Sequence, residues 1–270
     1  MGILYVASQK KYIEEAKVSA KSAKKHGLST ALFCKNLKVD KEKFDYVRKI
    51  KNSEGGFIDK INPLKKTPFN RTLFLDTDTV VLEEIDEIFK LLDKYDIAYS
   101  HAPVRRNEKY KKTETPRPFF QPNTGVILYK KEQKVMRFIE DWRELYKQQL
   151  KHMKEPPNDQ PSFQEAIFKS NLKDYILPPE YNLRIPFPYF IGGNESVKII
   201  HGRGSRLERE KEKIESIRRN RFMPRVYPII NSYNDMVSEF GTKELVLASI
   251  LGIANKIYSI TKIFNVKKES

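Results

Sequence analysis

The sequence predicts an α/β chain built on an open, mostly parallel, Rossmann-like sheet with helices on both faces. Three observations predict it. Apolar runs of strand length alternate with longer stretches of helical periodicity from residue 3 to residue 200. Glycine and proline stand at the joints between them. The apolar run Leu73-Phe74-Leu75 ends abruptly in two carboxylates, Asp76 and Asp78, and open α/β sheets gather ligands at the carboxyl ends of their strands.

Taken in order, residues 3–7 read as a first core strand. Residues 10–25 carry helical periodicity and stop at Gly27, the residue type that accepts the left-handed backbone closing a helix. Short strands follow over 30–34 and 46–50. Gly55 and Gly56 open a loop, and 57–66 is helical up to Pro68. The strand 71–75 leads into the acidic pair, a helix spans 84–94, and a strand spans 96–100. The polar, proline-bearing loop 102–122 is longer than a connector requires, which marks it as functional or mobile. Beyond it come a strand at 124–129, helices at 132–150 and 159–169, and strands at 175–177 and 197–200. From Ser205 the character changes. Residues 208–221 are densely charged, with Glu215 and Arg219 at helical spacing, and 245–264 are amphipathic with a narrow polar stripe. The expected division is a catalytic domain over 1–204 and a charged and amphipathic helical extension over 205–270.

The 270 residues and 39% hydrophobic content suffice for one large domain with an ordinary core. A net charge of +16 calls for an acidic partner: a nucleotide diphosphate, anionic lipid or nucleic acid. Nucleic acid is disfavoured, because the lysines and arginines are scattered and no binding motif appears. Cys34, the single cysteine, reads as a buried structural thiol. The N-terminal run lacks the length and basic flank of a signal peptide, so the expected location is cytoplasmic. Residues 245–264 contain lysines and are too interrupted to span a bilayer. They suit either contact with the inner face of a membrane, packing on the core or a dimer contact, with packing slightly favoured.

In extended backbone, side chains two apart point the same way, so Asp76 and Asp78 are expected to share one hard divalent cation. Two other readings compete. One has the pair cap the following helix; the other takes it as the Asp-x-Asp-x-Thr/Val nucleophile motif of an aspartate-based phosphohydrolase. The phosphohydrolase reading is weakened because its strand belongs early in the chain, and no Asp-Asp or Gly-Asp-x-x-x-Asp pair follows here.

The segment from Thr67 to Thr79 resembles the one that introduces the Asp-x-Asp motif of GT-A-fold glycosyltransferases, family eight and its relatives. The resemblance continues at Asn123-Thr124-Gly125, Asn158-Asp159-Gln160, Leu177-Pro178-Pro179-Glu180-Tyr181-Asn182 and Ile199-Ile200-His201-Gly202, in family order. It implies a hexosyltransferase-type enzyme using a nucleotide-diphosphate sugar, UDP-sugar before GDP-sugar, with a glycan, lipid-linked or protein acceptor left unspecified. Asp76, Asp78 and His201 would ligate the metal, manganese or magnesium, with imidazole favouring manganese. Ala7, Ser8 and Thr77 would lie along the nucleotide, and Asn123, Asp159 and Gln160 would face the donor sugar. Where the family places a lysine after the histidine, this chain has Arg203, a candidate for the diphosphate together with Lys60. His101 and Arg105, at the start of the long loop, are candidates for donor or acceptor contact; the aromatic stretch 186–190 offers faces for stacking an acceptor sugar, with core packing the expected use of most of its rings. A catalytically silent nucleotide-sugar-binding module of the same fold stays open.

Overall fold

The computed structural model describes residues 1–35, 43–51, 53–102, 115–116, 118–152, 158–184, 196–203 and 212. Its elements are β1 (Gly2–Ala7), α1 (Lys10–Lys24), β2 (Thr30–Cys34), β3 (Tyr46–Lys49), α2 (Ile58–Leu64), β4 (Arg71–Leu75), β5 (Thr79–Val81), a 3-10 helix (Asp86–Asp93), β6 (Ile97–His101), β7 (Pro122–Lys130), α3 (Gln133–His152), α4 (Gln160–Lys169), β8 (Asp174–Ile176), a 3-10 turn (Pro179–Tyr181), β9 (Leu183–Arg184) and β10 (Ile199–His201). Seven strands form one sheet in the order β3-β2-β1-β4-β7-β6-β8; β5, β10 and β9 form a second.

The main sheet is mostly parallel, as its alternating elements predict. β7 alone runs against both its neighbours, β4 and β6. β6 and β7 are consecutive strands of the chain and direct neighbours in the sheet, and they pair antiparallel. The strands alternate strictly between two cores. Ile3, Tyr5 and Ala7 join Leu73, Leu75, Val126 and Leu128 beneath α1, whose Ile13, Ala16, Ala20 and Ala23 close that face. Leu4, Phe74, Ile127 and Tyr129 point the other way, into α2, α3 and α4 through Ile61, Leu64, Phe138, Trp142 and Phe163. Cys34 is fully buried, and burial pushes its thiol pKa up. Gly27 has φ +71°, the left-handed turn that ends α1.

Several expectations are corrected. The helix expected over 84–94 is a 3-10 helix, and Ile85, Ile88 and Leu91 repeat at its three-residue period. β5 and β9, with three and two residues, are too short to show periodicity and went unpredicted. Most of the loop expected over 102–122, the aromatic stretch 186–190 and residues 205–270 apart from Glu212 lie outside the described residues. Among the described residues no helix is long and apolar enough to cross a membrane.

Candidate functional site

The acidic pair does not lie in extended backbone, contrary to expectation. β4 stops at Leu75, and residues 76–78 turn directly into β5. Thr79 Oγ1 closes the turn by donating to the Asp76 carbonyl at 2.8 Å. The turn, rather than strand alternation, brings both carboxylates to one side. β5 pairs antiparallel with β10, setting His201 opposite Thr79, and the Gly202 N–H donates to the Asp78 carbonyl at 2.8 Å. His201 Nε2 thereby stands 3.3 Å from Asp78 Oδ1 and 3.8 Å from Asp76 Oδ2.

The imidazole is pressed against Gly125 of β7 through its Cε1. A Cβ there would fall 2.1 Å from His201 Cε1 and 2.9 Å from Asp76 Oδ2, so only glycine leaves room for both groups. The Asp76 N–H donates to the Gly125 carbonyl at 2.8 Å, which ties the turn to the same point of β7.

These residues fit a divalent cation. One ligand atom from each of Asp76, Asp78 and His201 lies within 4.8 Å of the others. Ligands held at about 2.1 Å by one small cation stand roughly 3 Å apart when adjacent, so little movement separates these atoms from a coordination shell. Two carboxylate oxygens with one imidazole nitrogen make a donor set for a divalent cation.

The site opens on a cleft of about 390 Å³ lined by Ser8, Lys60, Thr77, Gln160, Arg184 and Arg203 among others, besides Asp76, Asp78, Asp159 and His201. Of the residues named from sequence, Ala7 and Asn123 do not line it. Ala7 is fully buried in the core beneath α1, and strand alternation puts Val6 on the cleft instead. Asn123 is also buried, with Oδ1 accepting from the Gly125 N–H at 3.0 Å. His101 stacks on Phe120 with ring centroids 4.5 Å apart, and Arg105 lies outside the described residues.

Lys60, the weaker of the two candidates for the diphosphate, is 12% exposed and lies between Asp76 Oδ1 at 3.0 Å and Asp159 Oδ2 at 2.9 Å. Burial favours its neutral form, but the charges of Asp159 and Asp76 outweigh that and raise its pKa. Asp159 stands at the N-cap position of α4, yet its side chain makes no capping bond and instead takes a hydrogen bond from Thr124 Oγ1 at 2.9 Å. Asn158 does the capping, its Oδ1 accepting the Gln160 N–H at 3.1 Å. Burial pushes the Asp159 pKa up, opposed by Lys60 and reinforced by Asp76. Trp142 Nε1–H donates to the Asp159 carbonyl at 3.1 Å and anchors the start of α4 to α3.

Thr77 Oγ1 donates to Glu15 Oε2 at 2.7 Å, and Arg203 Nε donates to Glu15 Oε1 at 2.9 Å. Glu15 of α1 therefore holds Arg203 at the rim, its guanidinium 3.7 Å from Asp78 Oδ2 and over the Tyr12 ring. Sequence reasoning missed Arg184 and assigned no role to Asn182. Arg184 Nη1 donates to His201 Nε2 at 2.9 Å, and His201 Nδ1 is 2.9 Å from Asn182 Oδ1. The only signal for either was their place in or beside the Leu177–Asn182 segment.

The sequence matches no family model and no curated protein. Solved structures do match. The galactosyltransferase LgtC in complex with donor and acceptor sugar analogues superposes with a TM-score of 0.51 at 15% identity, over 80% of this chain and 96% of that one. An active-site mutant of LgtC gives 0.52 at 14%, with the same coverage. The glycosyltransferase GlyE of Streptococcus pneumoniae TIGR4 gives 0.53 at 16%, over 76% of this chain and 54% of that one. At such identities the likeness is one of fold. The chain has the GT-A fold of these glycosyltransferases, as its resemblance to family eight implies.

Proposed function

We propose that this chain is a metal-dependent glycosyltransferase that moves a sugar from a nucleotide-diphosphate donor, a UDP-sugar, to an acceptor hydroxyl. The observation that carries the reading is the convergence of Asp76, Asp78 and His201, from two sheets, at the edge of a cleft ringed by Lys60, Arg184 and Arg203. Fold alone would not carry it, since one fold hosts many chemistries. LgtC in its complex holds donor and acceptor analogues, which supports a two-substrate cleft in the same architecture. The phosphohydrolase reading has less support, because an imidazole from a separate strand completes the acidic pair.

In the transfer, the bond between the anomeric carbon and the diphosphate oxygen breaks and one to the acceptor oxygen forms. The acceptor's proton leaves with the nucleoside diphosphate. A cation bound by Asp76, Asp78 and His201, manganese or magnesium, would supply Lewis-acid neutralisation of the leaving diphosphate. Arg203, held by Glu15, and Arg184 add positive charge for phosphate oxygens. Ser8 and Thr77 lie where the nucleotide would pass. Asp159 and Gln160 offer hydrogen-bonding groups to the sugar, with Lys60 opposing the rise in pKa that burial imposes on Asp159. Residues 1–204 form the catalytic unit in this reading, and 205–270 an appended extension.

The test is a thermal-shift panel of nucleotide sugars with and without manganese, repeated on Asp78→Ala, alongside manganese-dependent hydrolysis of the stabilising donor. Stabilisation by one donor that requires manganese and disappears in Asp78→Ala is the expected result. Stabilisation without turnover, with or without acceptors, would favour a silent binding module. Donor binding indifferent both to manganese and to Asp78 would overturn the metal-dependent reading.

A further inference from the structure

His201 can serve a cation through Nε2 only if the proton of its neutral ring sits on Nδ1. The surrounding hydrogen bonds decide that question from both ends. The Gly125 backbone N–H can only donate, and it points at the terminal atom of the Asn123 amide at 3.0 Å, so that atom is the oxygen. The same Asn123 oxygen lies 2.9 Å from the next amide, so Asn182 must present its NH₂ there. That orientation turns the Asn182 oxygen toward His201 Nδ1 at 2.9 Å, and an acceptor at that position requires the ring to carry its proton on Nδ1. On the far side, Arg184 Nη1 stands 2.9 Å from Nε2; guanidinium has no acceptor, so Nε2 there offers a lone pair. Asn182 and His201 are fully buried and Asn123 is 2% exposed, so water has little access with which to substitute for any link.

We propose that Asn123 and Asn182 are positioning residues. They form a relay rooted in the Gly125 N–H that fixes the His201 proton on Nδ1 and leaves Nε2, 3.3 Å from Asp78 Oδ1 and 3.8 Å from Asp76 Oδ2, with a lone pair that a cation would take over from Arg184. This rests on the reading of Asp76, Asp78 and His201 as a cation site, and it gives Asn123 a task other than touching the donor sugar. Partners of this kind, behind a metal-binding histidine, govern both ring orientation and ligand basicity.

The relay is tested in two ways on the full chain. Nitrogen-15 histidine spectra of the metal-free protein, with His201 assigned by loss of its signals in His201→Gln, report the tautomer directly. Calorimetric titration with manganese reports affinity. The wild type is expected to show protonated Nδ1 and bare Nε2. Asn182→Leu removes the acceptor, so it should lose that pattern and weaken manganese binding by about 10–100-fold. Asn123→Asp, whose carboxylate still accepts from both the Gly125 and the Asn182 N–H groups, keeps the relay and should retain both the pattern and the binding. If Asn182→Leu does not fold, Asn123→Leu makes the same comparison one link earlier. A wild-type ring protonated on Nε2, or leucine variants with unchanged tautomer and unchanged affinity, would overturn the relay. A wild type that shows the expected tautomer, lost in Asn182→Leu, but binds no manganese would leave the relay standing and sink the cation reading instead.

Discussion

Gly125→Ala probes the centre of the proposed site with a single methyl group. The new Cβ would lie 2.1 Å from His201 Cε1, 2.9 Å from His201 Nδ1 and 2.9 Å from Asp76 Oδ2. Carbon atoms in contact stand about 3.5–4.0 Å apart, so the ring must retreat by about 1.5 Å. Such a retreat breaks the 2.9 Å bond between Nδ1 and Asn182 and carries Nε2 away from Asp78. The ring is fully buried, so overpacking should cost about 1–3 kcal/mol of stability. Manganese affinity should fall by about 100-fold, or roughly 2.8 kcal/mol at 1.4 kcal/mol per tenfold. Calorimetric titration with manganese measures the second effect, and urea unfolding the first. Gly27→Ala is the control. Its φ of +71° makes alanine strained there, but nothing lies within 4 Å, so it should lose stability and leave manganese binding alone. If Gly125→Ala folds and binds manganese within twofold of wild type, His201 is not a ligand held against that glycine.

Three further outcomes follow from the same structure. Lys60→Met leaves the Asp159 carboxylate buried without its ion-pair partner and should cost about 3–5 kcal/mol in urea unfolding, part of it recovered in the double variant with Asp159→Asn; a loss below about 1 kcal/mol would contradict the buried pair. Hydrogen bonds from Lys147 and Arg143 hold the Glu54 carboxyl down at about 2, against an ordinary value of 4.5. Because the folded value is the lower one, the stabilisation is fully present above pH 4.5 and is lost as pH falls through about 2. The melting-temperature difference between wild type and Glu54→Gln should shrink over that window, and a difference constant with pH would refute the pairing. Cys34 is fully buried, so a thiol reagent should leave the native chain unmodified and label it only in denaturant; rapid native labelling would contradict the core placement of β2.

Much of the fold was legible because its cues are local. The unbroken apolar runs Ile3 to Ala7 and Leu73 to Leu75 announce strands buried on both faces. The glycine at position 27 announces the end of α1. The acidic pair was visible because carboxylates rarely follow so apolar a strand. The 3-10 character of residues 86–93 was less legible, since residues such as Ile88 and Leu92 also satisfy an α-helical spacing. Lys60 was underrated for a different reason: nothing in its own neighbourhood says that Asp159, almost a hundred residues later, will bury beside it.

The sequence by itself determined the alternating α/β architecture, the place of Asp76 and Asp78 at the end of a core strand, and the candidacy of His201. Local periodicity and motif order carry that information. Only the tertiary structure decided how these groups meet. The three-residue β5 is too short to be read, yet its pairing with β10 sets His201 opposite Thr79 and beside Asp78. The need for glycine at position 125 likewise arises from an imidazole more than seventy residues away in the chain. Contacts of this kind are fixed by strand register and side-chain volume across distant segments, and no local pattern encodes either.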